Sequence, residues 1–351
     1  MTTFVSKNPI NLREKLTEFD RPVGIGGQEV LKSESVRAAQ NTLGVGHKNL
    51  LLNSQFHINQ RGEDVASGVT ISGVNNYFTV DRWNEYHNSG VTRKVTITYN
   101  TKLPDGTMCN SYKSEYLSGA ANWMHPVQQL PFENWMHGQT FTVSSWVKTN
   151  IQGFHLRVCD TVSCYEFGNE IPSDGEWHYM TGQITFPDSG LSTSANTQWQ
   201  PAFGSTTLQA GDYIEFACMQ VEVGTVATPF EWRTYEEELQ LCQAYYWKMD
   251  QNAGSIGHGS YQRSDYFRCW VQFPVKMRDI PTLDIANGTN YFRILSHDTL
   301  NSVNTFVLSG NTTRYGALLN NQTQASGTQG SGGDVQLNSS AAYVAFDAEV
   351  V

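Results

Sequence analysis

The feature that most restricts this chain is a succession of short segments with period-two alternation, each closed by a Gly- or Pro-containing turn. Between residues 48 and 233 such segments recur at 91–99, 139–148, 154–158, 178–186 and 212–223. They are separated by Pro104-Asp105-Gly106, Pro172-Ser173-Asp174-Gly175 and Pro187-Asp188-Ser189-Gly190. Successive side chains of a strand point to opposite faces, so each segment has one face to bury and needs a second sheet to bury it against. The pattern predicts a two-sheet sandwich of jelly-roll type over residues 48–233.

Residues 250–351 repeat the pattern at 267–275, 282–285, 291–295, 305–308, 315–319 and 341–350. They predict a smaller C-terminal β-sandwich, whose core is thin by surface-to-volume scaling and would gain from oligomerisation. Residues 320–333, rich in Asn, Gln, Gly and Ser, cannot bury apolar surface and read as an exposed loop or an ordered tip held by its neighbours. Between the β regions, Thr234-Tyr235-Glu236-Glu237 is a capping-box sequence. It predicts a helix running to Trp247, with residues 234–249 as a connector. Residues 1–47 contain Asn8-Pro9, Arg21-Pro22 and Gly24-Ile25-Gly26-Gly27, and read as an arm with one short helix over 33–44, started by a serine and ended at Gly44. Two or three turns of helix are marginal alone and call for a docking partner. The expected fold is thus mainly β: arm, jelly roll, connector helix, small C-terminal sandwich.

Composition narrows the chemistry. The net charge is −10, charged residues make up only 16%, and no basic stripe interleaved with aromatics occurs, which argues against a nucleic-acid partner. No run approaches the roughly 20 apolar residues of a membrane span. The first residues lack a secretory pattern, so synthesis and initial residence in the cytoplasm are expected, with the six cysteines reduced and no zinc site. No nucleophile elbow, phosphate loop, zincin motif or dinucleotide turn is present, and the chain is not expected to be an enzyme. The acids Glu166, Glu170, Asp174 and Glu176 read as a solvated cluster beside a turn rather than a hydrolytic pair. No catalytic cofactor is expected. A structural calcium is the one ion the pattern admits, with Asn53, Glu215 or Glu222 as contributors.

An acidic, lightly charged and aromatic-rich chain suits neutral ligands, and sugars present apolar faces that an aromatic ring can cover. Trp83, Trp146 and Trp177 read as core. Trp123 and Trp135 lie in irregular, amide-rich surroundings, where an indole could stack on a sugar while Asn122, Gln128, Gln129 or Glu133 bonds its hydroxyls. An aromatic is more often packed than ligand-facing, so both readings stay open for these positions.

Several stretches together resemble bacteriophage tail-fibre proteins that carry a carbohydrate-binding-like jelly roll. They are Glu29-Val30-Leu31-Lys32 with Ala38-Ala39-Gln40-Asn41-Thr42-Leu43-Gly44, Asn49-Leu50-Leu51-Leu52-Asn53-Ser54-Gln55-Phe56, and Tyr77-Phe78-Thr79-Val80-Asp81-Arg82-Trp83. The same order continues through residues 138–148, 220–246 and 272–283. Ser54 stands where such proteins commonly have glycine, and Ala244 where they commonly have arginine. The resemblance implies a homotrimer in the virion tail, attached to other phage proteins through residues 1–47, with Phe19, Arg21, Val36 and Leu43 as attachment residues. It further implies a distal tip formed by residues 250–351 and a host surface polysaccharide as partner. Two alternatives accompany it: a head decoration fibre or tail adaptor making only protein contacts, and a polysaccharide depolymerase.

Overall fold

A computed structural model describes residues 48–349 apart from 74–76, 88–89, 120–123, 132–133, 160–163, 187–195, 204–207, 251–253 and 298. The expectations for residues 1–47, Phe19, Arg21, Val36 and Leu43 among them, lie outside the described residues, as does Trp123.

Among the described residues, twelve strands build the jelly roll: β1 (Val69–Ser72), β2 (Tyr77–Val80), β3 (Trp83–His87), β4 (Thr92–Lys102), β5 (Met108–Ser118), β6 (Met124–Pro131), β7 (Thr140–Thr149), β8 (Phe154–Cys159), β9 (Cys164–Ile171), β10 (His178–Thr185), β11 (Asn196–Phe203) and β12 (Tyr213–Val223). They form two six-stranded antiparallel sheets, ordered β1-β4-β5-β12-β7-β10 and β2-β3-β6-β11-β8-β9. The alternation decides what lies between them. On β7, Phe141, Val143 and Val147 are fully buried in the core, while Thr142, Ser144 and Trp146 take the opposite face. Trp146 therefore does not join the main core, as its regular strand suggested. It packs beside Tyr179 at 5.3 Å, over a small outer cluster of Leu103, Cys109, Ala217 and Cys218 that Trp177 also covers. Trp83 is the indole that fills the core. Its ring meets Phe56, Tyr112 and Phe216 at centroid separations of 5.2–6.3 Å. Such ring pairs add about 0.5–1.5 kcal/mol each beyond their buried area.

The connector helix α1 spans Tyr235–Gln243, shorter than the sequence suggested. Its capping box is formed: Thr234 Oγ1 accepts from the Glu237 amide, and the Glu237 carboxylate accepts from the Thr234 amide at 2.9 Å. Glu238, in the first turn, is buried and accepts from the Asn53 amide at 2.6 Å and from Arg233 at 3.2 Å. The helix is thereby fixed to the jelly roll, and the acids of its first turn complement the positive end of the helix dipole. Residues 246–249 were expected to continue the connector. They are instead a strand, β13 (Tyr246–Met249), because β22 (Val344–Asp347) offers it a paired edge.

The C-terminal unit adds β14 (Ser255–Arg263), β15 (Tyr266–Gln272), β16 (Thr282–Ile285), β17 (Phe292–Ser296), β18 (Leu300–Val303), β19 (Val307–Leu308), β20 (Gly316–Asn321) and β21 (Gly332–Leu337). A three-stranded sheet, β13-β22-β16, faces a seven-stranded one, β18-β17-β21-β14-β15-β20-β19. Phe267, Cys269, Val271, Phe292, Ile294, Val335 and Phe346 fill the space between. The Asn/Gly/Ser run is the ordered-tip alternative: Asn321 Oδ1 accepts from the amides of Gln324 and Ala325 at 3.0 and 2.9 Å, and Gly332 and Gly333 open β21.

The two sandwiches meet through buried charge. Arg82, 1% exposed, bonds the Glu349 carboxylate and donates to the Gln129 carbonyl, and its guanidinium lies 3.7 Å above the Tyr245 ring. Arg61 lies 3.8 Å above Tyr246 and is within 3.4 Å of Asp81 and 3.6 Å of Glu349. Asp81 accepts from the amide and side chain of Gln60 at 3.1 and 2.5 Å. Among the described residues no helix is long and apolar enough to cross a membrane.

Candidate functional site

Gln128 is fully buried, and both ends of its amide are spent on Leu52: Oε1 accepts from the backbone N–H at 2.7 Å and Nε2 donates to the carbonyl at 2.7 Å. That amide holds the opening loop of the jelly roll and has no hydrogen-bonding capacity directed at solvent. Trp135, in a single 3-10 turn at Asn134–Met136, is half-buried against the core, 6.0 Å from Phe141.

The three residues named for calcium each hold hydrogen bonds within the protein. The Asn53 amide bonds Ile58 and Asp81 backbone groups, Glu215 accepts from Ser111, and Glu222 accepts from Thr228. Among the described residues no three His, Cys, Asp or Glu side chains are grouped to hold a metal. Of the clustered acids, Glu170 accepts from the Gly153 amide at 2.8 Å. Asp174 accepts from Glu176 and His178, and those hydrogen bonds hold its carboxyl below the usual range.

A different surface has the required properties. β15 sends Phe267, Cys269 and Val271 inward, so Tyr266, Arg268, Trp270 and Gln272 line the outer face of the seven-stranded sheet. Register partners share a face, which adds His258 and Ser260 from β14, Leu318 and Asn320 from β20, Asp334 and Gln336 from β21, and Arg293 from β17. Trp270 stands on this face with 40% of its surface exposed. Its ring lies over Gly316: a Cβ there would fall 2.3 Å from the indole and 2.7 Å from the Val271 carbonyl. Only glycine lets the ring lie so close to the sheet. Next to it opens a cleft of about 730 Å³ lined by Trp247, Asp250, Ser255, His258, Trp270 and Gln272.

A polar ladder crosses the same face. Arg293 donates twice to Gln336 Oε1, at 3.0 and 2.8 Å, and Gln336 Nε2 donates to Asp334 at 2.8 Å. Asp334 then meets Ser255 Oγ and, at 3.2 Å, Nδ1 of a largely exposed His258, which sits opposite Trp270 in the register. Gln272 Nε2 donates to the Tyr315 carbonyl at 2.8 Å. An apolar ring set among pre-oriented amide, imidazole and carboxylate groups can cover the C–H face of a flat, hydroxylated ligand and pair with its hydroxyls. The sequence carried a signal for this site in the phase of β15, where Trp270 alternates with Arg268 and Gln272 instead of with the apolar residues.

No family model matches the chain, and no curated protein matches it. Among solved structures it is similar to the CBM22-1 xylan-binding domain from Paenibacillus barcinonensis Xyn10C, with 13% identity and a TM-score of 0.29, covering 45% of this chain and 95% of that one. The family 11 carbohydrate-binding module of cellulosomal cellulase Lic26A-Cel5E of Clostridium thermocellum gives 12% identity and 0.27, over 45% and 96%. A cyclase from Fischerella sp. TAU gives 10% identity and 0.35, over 52% and 99%. Carbohydrate-binding modules and an enzyme thus stand side by side at comparable scores, and the function has to be read from this chain's own side chains.

Proposed function

We propose that this protein binds carbohydrate, with the sugar stacked on Trp270 across the outer face of the seven-stranded sheet. The observation that carries the reading is a large indole held 40% exposed among hydrogen-bonding side chains, with a glycine kept beneath it. Trp270→Ala removes the stacking surface and leaves the inward face of β15 untouched. Affinity electrophoresis in gels containing bacterial surface polysaccharides should show at least a tenfold loss of binding, about 1.4 kcal/mol, with an unchanged melting temperature. Wild-type binding that survives the substitution overturns the assignment.

The finer reading is a phage virion protein, a tail fibre or spike, attached to the particle through residues 1–47 and presenting residues 250–351 to host surface glycans. The residues quoted for the tail-fibre resemblance support it. A homotrimer would turn weak single-site binding into useful avidity. Sedimentation at micromolar concentration tests the trimer, and a monomer counts against it. One observation favours the alternative of an adaptor making protein contacts: the outer face of the first jelly-roll sheet carries Trp146 beside an exposed Tyr179, with Phe230 and an exposed Trp232 nearby. Particles that still adsorb without this protein would support that alternative.

A further inference from the structure

We infer that the sugar polymer bound on this face is acidic, its carboxylate held by Arg268; the inference rests on the carbohydrate-binding reading and specifies its ligand. The other charged side chains on the face are engaged with partners inside the protein. The Asp334 carboxylate is taken up by Ser255, Gln336 and His258. Arg293 is turned onto Gln336, and Arg263 is paired with Asp265 at 3.1 Å.

Arg268 differs from all of these. Its cross-strand partners are Ser260 and Asn320, both uncharged. Its guanidinium carbon lies 5.8 Å from the Tyr266 ring centroid, and no carboxylate among the described residues pairs with it. Its Nε is buried without a hydrogen-bond partner, and so is Oδ1 of the adjacent Asn320, a residue only 9% exposed. A guanidinium stays protonated at every relevant pH and presents a planar fork that matches a carboxylate in two parallel hydrogen bonds. Among the described residues, Arg268 is thus the cation of this face with neither a carboxylate nor a hydrogen-bond partner, whereas Arg293, also without a carboxylate, commits its donors to Gln336.

Spacing fits a polymer. Arg268 and Trp270 are two residues apart on one face of a strand, roughly 6.8 Å at about 3.4 Å per residue. One sugar ring stacked on Trp270 would bring a carboxylate of the next unit over Arg268. The chain's net charge of −10 opposes a polyanion in general. At physiological salt that background is screened beyond about 8 Å, so the local pair decides.

The test uses the full chain at physiological salt with polygalacturonate, alginate and hyaluronate, each beside its carboxyl-reduced neutral form. Isothermal titration should give at least a tenfold preference for the acidic form of one polymer in the wild type. That preference should collapse to about onefold in Arg268→Gln and be partly kept in Arg268→Lys, which retains charge without the fork. Circular dichroism confirms that the variants are folded. Equal binding of acidic and reduced forms, or a preference that survives Arg268→Gln, overturns the inference and leaves sugar binding standing. If the wild type binds neither form of these polymers the inference falls, and if it also binds none of the bacterial surface polysaccharides the carbohydrate reading falls with it.

Discussion

Glu85 offers the sharpest test of what holds the jelly roll together. It lies on β3 of the second sheet, fully buried, and accepts from Arg93 Nε at 2.9 Å, the Tyr112 hydroxyl at 2.8 Å and Ser114 Oγ at 2.9 Å. All three donors come from β4 and β5 of the facing sheet, so one carboxylate ties the two layers. Burial lowers the Arg93 pKa from its ordinary value, and the Glu85 charge opposes that shift. Glu85→Gln keeps the shape and removes the negative charge that faces the buried Arg93 guanidinium. Breaking a buried pair from one side costs about 3–5 kcal/mol. For a unit of this size each kcal/mol shifts the melting temperature by roughly 2–4 °C, so calorimetry should show a fall of about 6–20 °C. Replacing both partners, Glu85→Leu with Arg93→Met, should recover the charge part. It would leave about 1–2 kcal/mol for hydroxyls that lose their acceptor. A single substitution that costs under about 1 kcal/mol, or a double one no better than the single, refutes the reasoning.

Two further outcomes follow from named contacts. Burial pushes the Asp81 pKa up to about 6, with Arg61 and Gln60 opposing the shift. The folded value lies above the unfolded one of about 3.9, so the contribution to stability is fully present below pH 4 and is lost as pH rises through 6. It amounts to about 3 kcal/mol. The stability difference between wild type and Asp81→Asn, followed from pH 4 to 8, should change across that window; a flat difference would count against the assignment. Gly316→Ala places a methyl against the indole and the Val271 carbonyl, so Trp270 must leave its seat. Its fluorescence maximum should shift and sugar affinity should drop at least fivefold, at about 1–3 kcal/mol of stability. An unmoved emission maximum would show that the ring does not depend on Gly316.

What the sequence revealed depended on whether a residue's neighbours in the chain are also its neighbours in space. β4, β7, β10 and β12 announce themselves by alternation, and the Thr234–Glu237 cap by its spacing. β14 is hidden, because Ser255–Arg263 has two glycines where side chains would be. The sheet explains them: a Cβ on Gly259 would meet the Arg268 carbonyl at 1.8 Å. β13 was masked by the preceding helix pattern and exists because β22, about a hundred residues later, pairs with it. At the candidate site, irregular surroundings drew attention to Trp135 and an amide-rich context to Gln128, yet both support the jelly roll. The exposed indole sits in a regular strand, where only the phase of alternation separates a surface tryptophan from a core one.

The buried junction of Arg61, Arg82 and Glu349 also bears on how a bound polymer would load the protein. Cation–ring contacts at 3.7 and 3.8 Å and a buried ion pair leave little slack between the two sandwiches. A tug on the seven-stranded sheet would pass into the jelly roll as though along a stiff lever instead of being absorbed by a swivel. The seven-stranded sheet would then hold its orientation to the jelly roll under load.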